Sequence, residues 1–232
     1  MNKEPHVALL GVYRGAVTQR YGLQTAIAKC PVDTPVYLSE LGLEGDQCAD
    51  LRHHGGLDRA LHHYPREHYA FWQQQCPESG HWQAPGMGEN LSTLGMTEAT
   101  VCLGDRLRWG DAEIEVSQPR SPCFKLNRRW QVADFAAQMQ RSGRCGWLYR
   151  VVKPGRVSIS EPLVLIDRLA QAMTVAQVCQ IYFGDPLQEQ GLRQLLSQSA
   201  LAASWREKIE QRLQTGQVEP WHFRLQGPPE SG

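Results

Sequence analysis

Short runs of apolar or alternating residues, separated by turn residues, dominate the first two thirds of the chain. The glycine-aspartate pairs Gly104-Asp105 and Gly110-Asp111 flank one of these runs and are typical of tight turns between neighbouring strands. Many short strands at such spacing predict a mainly β, α+β domain built as a barrel or a sandwich. The predicted strands cover residues 7–13, 25–32, 36–38, 101–103, 107–109, 114–117, 147–152 and 163–166.

Two helices are predicted to interrupt these strands. Residues 65–75 begin with Pro65, which suits the first helical turn, and continue with good helix formers. Residues 132–141 place apolar side chains at helical spacing, and Gly143 follows as a residue that ends helices. Both helices are expected at the periphery of the β domain.

From Leu169 onward the strand signal disappears, and three short helices are predicted. Thr174 is placed to cap an apolar stretch over residues 175–183, and leucines at helical spacing follow. Ser204 and a glutamate three positions later form a capping-box pattern, which opens a helix over residues 205–213.

The change of pattern predicts two domains and a tail. Residues 1–168 form the β domain, residues 169–224 a small three-helix domain, and residues 225–232 a disordered tail. Trp205 and Trp221 could leave apolar surface exposed on the helices, which would suit partner docking or a homodimer. The alternative is that the helices simply pack on the β domain.

Charge and composition narrow the classes of function. The chain has 24 Lys and Arg against 24 Asp and Glu, so it lacks the basic surface of a general nucleic-acid binder. No apolar run approaches the roughly 20 residues that cross a bilayer, and the N-terminus lacks the pattern of a signal peptide. A cytoplasmic protein with neither nucleic acid nor membrane as partner is therefore expected.

The seven cysteines do not form a recognisable framework. Their number is odd, they are scattered along the chain, and no two form a Cys-x-x-Cys pair. Neither a disulfide framework nor a zinc knuckle is therefore predicted. Most of these cysteines are expected to be small buried apolar residues.

Two glycine-containing segments offer candidate ligand-binding groups. In residues 52–64, Gly55 and Gly56 leave backbone N–H groups accessible, and Arg59 can bind a phosphate or a carboxylate. An ordinary turn with satisfied histidines is the competing interpretation, and no His-Glu-x-x-His pair supports a zinc site. Further along, the amide of Asn90 could bind a ligand or brace a loop, and spacing alone does not decide between these roles.

A third segment, residues 118–126, carries the strongest candidate for a reactive group. Prolines on both sides of Arg120 stiffen the backbone, and Cys123 lies between Arg120 and Lys125. Positive charge favours the thiolate, which attacks electrophiles or binds soft metals such as molybdenum. A buried structural cysteine is the competing interpretation. Cys145 is the other candidate, but it lacks the proline frame.

Seven short motifs occur in a fixed order between residues 41 and 149. They are LGLEGD (41–46), HGGLDRAL (54–61), YPREHY (64–69), GENL (88–91), GD (104–105), QPRSPCFKL (118–126) and GWLY (146–149). In order and spacing they resemble the MOSC family, named for the C-terminal domain of molybdenum-cofactor sulfurase. Within it, the chain is similar to the bacterial YiiM-type proteins, which are associated with resistance to N-hydroxylated base analogues such as hydroxylaminopurine.

The resemblance implies a MOSC-type β-barrel with peripheral helices, a C-terminal three-helix domain and a pyranopterin molybdenum cofactor. Cys123 matches the single cysteine of the family motif, which implies that it ligates molybdenum or carries sulfur. It is thus the implied catalytic and metal-binding residue. The implied cofactor-binding residues are His54, Gly55, Gly56, Asp58, Arg59, Asn90, Arg120 and Lys125.

Two functions follow from the resemblance. One is reduction of N-hydroxylated compounds to amines, a detoxification that would need a separate reductase as electron donor, since no Rossmann fingerprint or iron–sulfur spacing is present. The other is a carrier of sulfur or of the cofactor on Cys123. Pyridoxal phosphate is disfavoured because it needs a Schiff-base lysine, and Lys125 has no supporting context.

Overall fold

The computed structural model describes residues 6–228, apart from the side chain of His53. Within this range the strands form one large sheet and two small ones. None of the described helices is long and apolar enough to cross a membrane. The strands are β1 (His6–Val7), β2 (Gly11–Arg14), β3 (Thr18–Arg20), β4 (Leu23–Thr25), β5 (Cys30–Pro31), β6 (Val36–Ser39), β7 (Gly42–Leu43), β8 (Leu61–Pro65), β9 (Leu91–Thr93), β10 (Arg106–Trp109), β11 (Ala112–Pro119), β12 (Trp147–Lys153), β13 (Gly155–Val157) and β14 (Leu163–Asp167).

The large sheet has nine strands in the order β1-β14-β10-β11-β12-β8-β9-β2-β5. Its pairs are antiparallel except β8 with β9, which run parallel. The end strands β1 and β5 are two residues long, and each has one partner in the described part of the chain. The fold is therefore mixed α+β with a large sheet, and the predicted closed barrel is not found among residues 6–228.

The hairpin of β10 and β11 follows the predicted alternation. Leu107, Trp109, Ile114 and Val116 are buried, while the residues between them are more exposed. Gly110 has a φ of +56°, a conformation that suits glycine in the tight turn between the two strands. Both predicted strands in this region are confirmed.

Other strands depart from the prediction. Of residues 25–32, Thr25 ends β4 and Cys30–Pro31 forms β5, so the predicted continuous strand is not formed, and residues 101–103 form only an isolated bridge from Cys102 to Thr174. Strand β8 is absent from the prediction because all five of its residues are buried, so it shows no alternation. The strand ends at Pro65, which places the start of the following helix at Glu67.

Three helices within the β region, over residues 67–75, 125–130 and 135–142, contribute to an aromatic cluster. The indole rings of Trp82 and Trp130 stack at 3.7 Å, and Phe135 packs against both Trp72 and Trp82. The predicted glycine cap at Gly143 is confirmed by its φ of +69°. The helices of the molecule are α1 (Leu51–His54), α2 (Glu67–Gln75), α3 (Lys125–Trp130), α4 (Phe135–Ser142), α5 (Val175–Cys179), α6 (Glu189–Ser197), α7 (Ala203–Thr215) and α8 (His222–Gln226).

The helical region confirms one of the two predicted caps. Thr174 and Gln177 form a complete capping box at the start of α5. The second prediction is wrong, because α7 begins at Ala203 and makes no capping bond of that kind. Ser204 instead accepts a hydrogen bond from Arg59 at 3.2 Å.

The predicted exposure of Trp205 is also wrong. Its ring stacks on Tyr182 at 3.9 Å, and only 2% of the residue is exposed, while Trp221 is partly buried. Residues 225 and 226 belong to α8 rather than to a disordered tail. Residues 229–232 lie outside the described range, and the division into domains stays a prediction.

Candidate active site around Cys123

Cys123 lies in the short connection between β11 and α3 and is 5% exposed. Two prolines, Pro119 and Pro122, restrict the backbone before it. The backbone N–H of Arg120 donates to the carbonyl of Gly146 at 3.1 Å, which ties this connection to the neighbouring strand β12. The predicted stiff frame is therefore present.

The surroundings of Cys123 favour its thiolate. Burial alone would raise the pKa of the thiol, but a hydrogen bond from His54 and the positive charges of His54 and Arg120 lower the pKa to about 6. The backbone N–H of Lys125 contributes a further hydrogen bond in the same direction. Cys123 is therefore largely ionised at pH 7.

Arg120 is the cation beside this thiol, and its guanidinium is left without a carboxylate partner in the part of the chain that the structure describes. Its one polar side-chain contact there is to the sulfur of Met139, at 3.5 Å. Arginine normally binds carboxylates or phosphates in a bidentate fashion. An unpaired guanidinium next to a thiolate is therefore available to an anionic ligand.

His62, on β8, has a buried ring nitrogen, Nε2, without a hydrogen-bond partner in the described part of the chain. Burial and the nearby charge of Arg120 hold the pKa of His62 well below its ordinary value, so the ring is neutral. The backbone of Gly88 acts on the ring in the opposite direction, and Nε2 stays available to a ligand. The adjacent His63 differs, since its two nitrogens contact the hydroxyls of Tyr149 and Thr93 at 3.0 and 2.8 Å.

Gly146 allows these groups to lie close together. It has a φ of +68°, and a Cβ at this position would lie 2.2 Å from the carbonyl of His63 and 3.1 Å from Nε2 of His62. Its N–H donates to Glu98 Oε1 at 2.7 Å, and the other oxygen of Glu98 contacts His68 at 2.7 Å. In the sequence, Gly146 is marked only by the GWLY motif, and the spacing of that motif does not indicate that Gly146 lies so close to His62 and His63.

Asn90 braces this region from within the protein. Its Oδ1 accepts from the backbone of His62 at 3.0 Å, and its Nδ2 donates to the carbonyl of Tyr13 and to Asp46 at 3.1 and 2.7 Å. Asp46 also forms a salt bridge with Lys29. Asn90 thus positions β8 and its histidine. Lys29, which acts on His62, is a site residue that sequence reasoning missed.

The glycine-containing loop contributes His54 and an open face. The His54 side chain is 38% exposed, and its Nδ1 lies 3.6 Å from Asp50 Oδ2. Gly56 has a φ of +107°, and a Cβ there would meet no atom within 4 Å. The Gly55 N–H is already used, since it donates to the carbonyl of Leu51 at 3.3 Å. Gly56 is therefore exposed, and the loop leaves its surface open there.

The remaining two predicted site residues face the helical region. Asp58 accepts from Nε of Arg150 at 2.7 Å, and Arg59 donates to Ser204 on α7 at 3.2 Å. The structure thus brings Cys123, His54 and Arg120 together. Asp58 and Arg59 lie at the contact with α7, and their cofactor role stays a prediction.

The donor set around Cys123 fits the cofactor that the sequence resemblance implies. Among residues 6–228, leaving aside the His53 side chain, no three His, Cys, Asp or Glu residues are grouped to hold a metal ion by themselves. One thiolate suits a metal whose other ligands come from its own organic cofactor. Arg120 would then hold an anionic group of a pyranopterin, and Nε2 of His62 a polar one.

Comparison with family models identifies both parts of the chain. Residues 50–164 match the model of the MOSC domain, and residues 173–216 match the model of the YiiM-like 3-alpha helix domain. The first match contains His54, Arg120 and Cys123. The second contains the helices α5 to α7.

Individual proteins agree with these matches. The chain is 47% identical to Protein YiiM of Escherichia coli over 93% of its own length and 97% of that protein. The crystal structure of YiiM from Escherichia coli has a TM-score of 0.84 at 41% identity, covering 96% of this chain and all of that one. A protein named Reductase from Gibberella moniliformis is 39% identical over 63% of this chain, which corresponds to 26% of that protein.

Proposed function

The chain belongs to the MOSC family, in its YiiM-type branch, and on this premise we propose that it binds a molybdenum cofactor and reduces N-hydroxylated compounds, such as hydroxylaminopurine, to amines. The observation that carries the proposal is the buried Cys123, its pKa lowered by its surroundings, beside an arginine that has no carboxylate partner among residues 6–228. A detoxifying role follows from the same resemblance, and the cytoplasmic location predicted from the sequence pattern is part of the proposal.

The overall reaction converts an N–OH group to N–H, takes up two electrons and two protons, and releases water. The bound molybdenum cofactor would supply the two-electron chemistry. The thiolate of Cys123 would ligate the metal, and Arg120 would bind an anionic group of the cofactor. His54 contacts Cys123 and is partly exposed, so it connects the site with solvent for proton exchange.

A separate electron donor is part of this proposal. The protein named Reductase aligns with this chain over only 26% of its own length, so most of that protein lies outside the shared region. The rest of that protein could contain electron-transfer domains, which this chain would need from a separate partner. The same comparison supports an oxidoreductase role for the shared region.

A carrier of sulfur or cofactor on Cys123 is the second candidate. The low pKa of the thiol favours it, because the thiolate is the form that accepts sulfane sulfur. Its burial disfavours it, since delivery to another protein needs an accessible sulfur atom, and Cys123 is 5% exposed. The reductase is therefore the better-supported function.

The test compares wild type, Cys123→Ala and Cys145→Ala, all purified from a host that makes the cofactor. Cys145 is a buried cysteine of the same domain and serves as the matched control. We expect near-stoichiometric molybdenum and reduction of hydroxylaminopurine by a chemical electron donor in wild type and Cys145→Ala. Both should be lost in Cys123→Ala.

Metal retained in Cys123→Ala would remove this residue as the anchor. No metal in any of the three proteins, from a host that loads other molybdoenzymes, would contradict the reductase. Sulfane sulfur on Cys123 in that metal-free protein would then establish the carrier instead.

A further inference from the structure

Helix α8, at the C-terminal end of the described chain, contacts the segment that carries Cys123. The backbone N–H of Phe124 donates to the carbonyl of Arg224 at 2.8 Å. The guanidinium of Arg224 donates to the carbonyl of Pro122 at 2.6 Å and to Oε1 of Gln140 at 2.6 Å. One residue of α8 is therefore hydrogen-bonded to both chain neighbours of Cys123.

Two further contacts extend this attachment along α3. The side-chain amide of Asn127 donates to the carbonyl of Leu225 at 2.8 Å. Gly227 packs against the ring of Phe124, and a Cβ at Gly227 would lie 2.7 Å from that ring. Backbone groups on each side of the thiol are thus satisfied by α8, whereas the sequence pattern predicts a disordered tail from residue 225.

We propose that Arg224 is a positioning residue for Cys123, and that α8 holds the thiol in the orientation in which His54 reaches it. Arg224 acts through its hydrogen bonds to the backbone of Pro122 and Phe124. The inference goes beyond the proposed reductase, because it concerns the protein without cofactor and holds for either function of Cys123.

The test measures how fast iodoacetamide alkylates Cys123 in the full-length, cofactor-free protein at pH 9. At that pH a thiol with a pKa of about 6 is fully ionised, so the rate reports access and orientation rather than ionisation. Mass mapping separates Cys123 from Cys30, which is exposed and provides an internal reference. In Arg224→Ala we expect the alkylation rate of Cys123 to rise about tenfold. The local opening that exposes the thiol then no longer has to break the two charge-assisted hydrogen bonds of Arg224.

Arg206→Ala is the matched control. The guanidinium of Arg206 also bonds to backbone carbonyls, those of Leu196 at 2.7 Å, Leu201 at 3.2 Å and Gln198, but all three lie in the helical region. Its loss should leave the rate at Cys123 unchanged. Arg224→Lys keeps the charge with a single donor group and should restore part of the protection.

A second pair of variants keeps the test independent of the folding of Arg224→Ala. Gly227 has a φ of +82°, and Gly227→Ala would push α8 away from Phe124. Gly216 also has a positive φ, +63°, but the methyl group added by Gly216→Ala would meet nothing within 4 Å. We expect faster alkylation of Cys123 in the first variant only. Unchanged rates in both Arg224→Ala and Gly227→Ala would overturn the proposal, and so would an equal rise in the two control variants.

Discussion

Two arginines of this protein lie in different kinds of surroundings. Arg212, in the helical region, donates to both carboxylate oxygens of Glu219, at 2.7 and 2.8 Å. It also donates to the carbonyl of Tyr182, and its guanidinium lies 3.8 Å from the centre of the Tyr182 ring. Arg120, beside Cys123, has one weak contact to sulfur. The protein itself satisfies the first arginine, while the second keeps its donors available. The arginine of the helical region is thus satisfied within the fold, whereas the arginine beside Cys123 is placed as our proposed binding function requires.

Substitution of the two arginines gives the largest expected difference. Arg212→Ala should lower the free energy of unfolding by about 3–5 kcal/mol, because it leaves the Glu219 carboxylate without its cation. Arg120→Ala should cost about 1 kcal/mol or less, since no strong hydrogen bond is lost. Urea denaturation of both variants measures the difference. Equal losses would mean that Arg120 is structural.

The adjacent histidines of β8 sharpen the same comparison. His63→Phe should destabilise the protein by about 2–3 kcal/mol, because it leaves the buried hydroxyls of Tyr149 and Thr93 without this partner. His62→Phe should cost about 1 kcal/mol, since among the described residues Nε2 has no partner to lose and only the interaction with the Gly88 backbone is removed, yet it should weaken retention of the cofactor. Denaturation curves and the metal content of the two variants test both statements. A larger stability loss in His62→Phe would contradict them.

The sequence predicts these regions unequally, for physical reasons. The hairpin at Gly110 and the cap at Thr174 depend on local chemistry, so they could be read from the chain. Strand β8 is buried on both faces and lacks an alternating pattern. The parallel pairing of β8 with β9 depends on residues far apart in sequence. Burial of Trp205 likewise follows from tertiary packing on Tyr182.

The site shows the same division. Cys123 and Arg120 lie in one proline-framed motif, so their proximity could be predicted. The family resemblance adds His54 to the predicted site. Lys29 and Arg224 come from distant segments with no motif of their own. Only the fold brings them to the site, and no local pattern marks them.

The ion pair of the helical region predicts a loss of stability in acid. Burial alone would raise the pKa of Glu219, but its hydrogen bonds with Arg212 and Trp221 lower the pKa to about 2. The carboxylate therefore stabilises the fold at pH values above its ordinary pKa, and this contribution disappears as pH falls from about 4.5 to about 2. We expect about 2 kcal/mol from this group. The difference in unfolding free energy between wild type and Glu219→Gln should hold at pH 7 and vanish near pH 2. A constant difference would show that no titration of Glu219 is involved.

The corresponding prediction for the Cys123 region concerns reactivity rather than stability. In cofactor-free protein, the rate of alkylation of Cys123 should follow its thiolate, with a midpoint near pH 6. Removing the nearby charge in Arg120→Gln should raise this midpoint by about one unit and slow the reaction at pH 6 roughly fivefold, with the plateau at high pH unchanged. Arg129→Gln is the control, because Arg129 lies close in sequence but donates to the carbonyl of Ile27 instead. A midpoint unchanged in Arg120→Gln would mean that His54 and the backbone N–H of Lys125 hold the thiolate without Arg120, and that Arg120 has no electrostatic role there. If the midpoint rises in Arg120→Gln but not in Arg129→Gln, then Arg120, which contributes little to stability, lowers the pKa of Cys123.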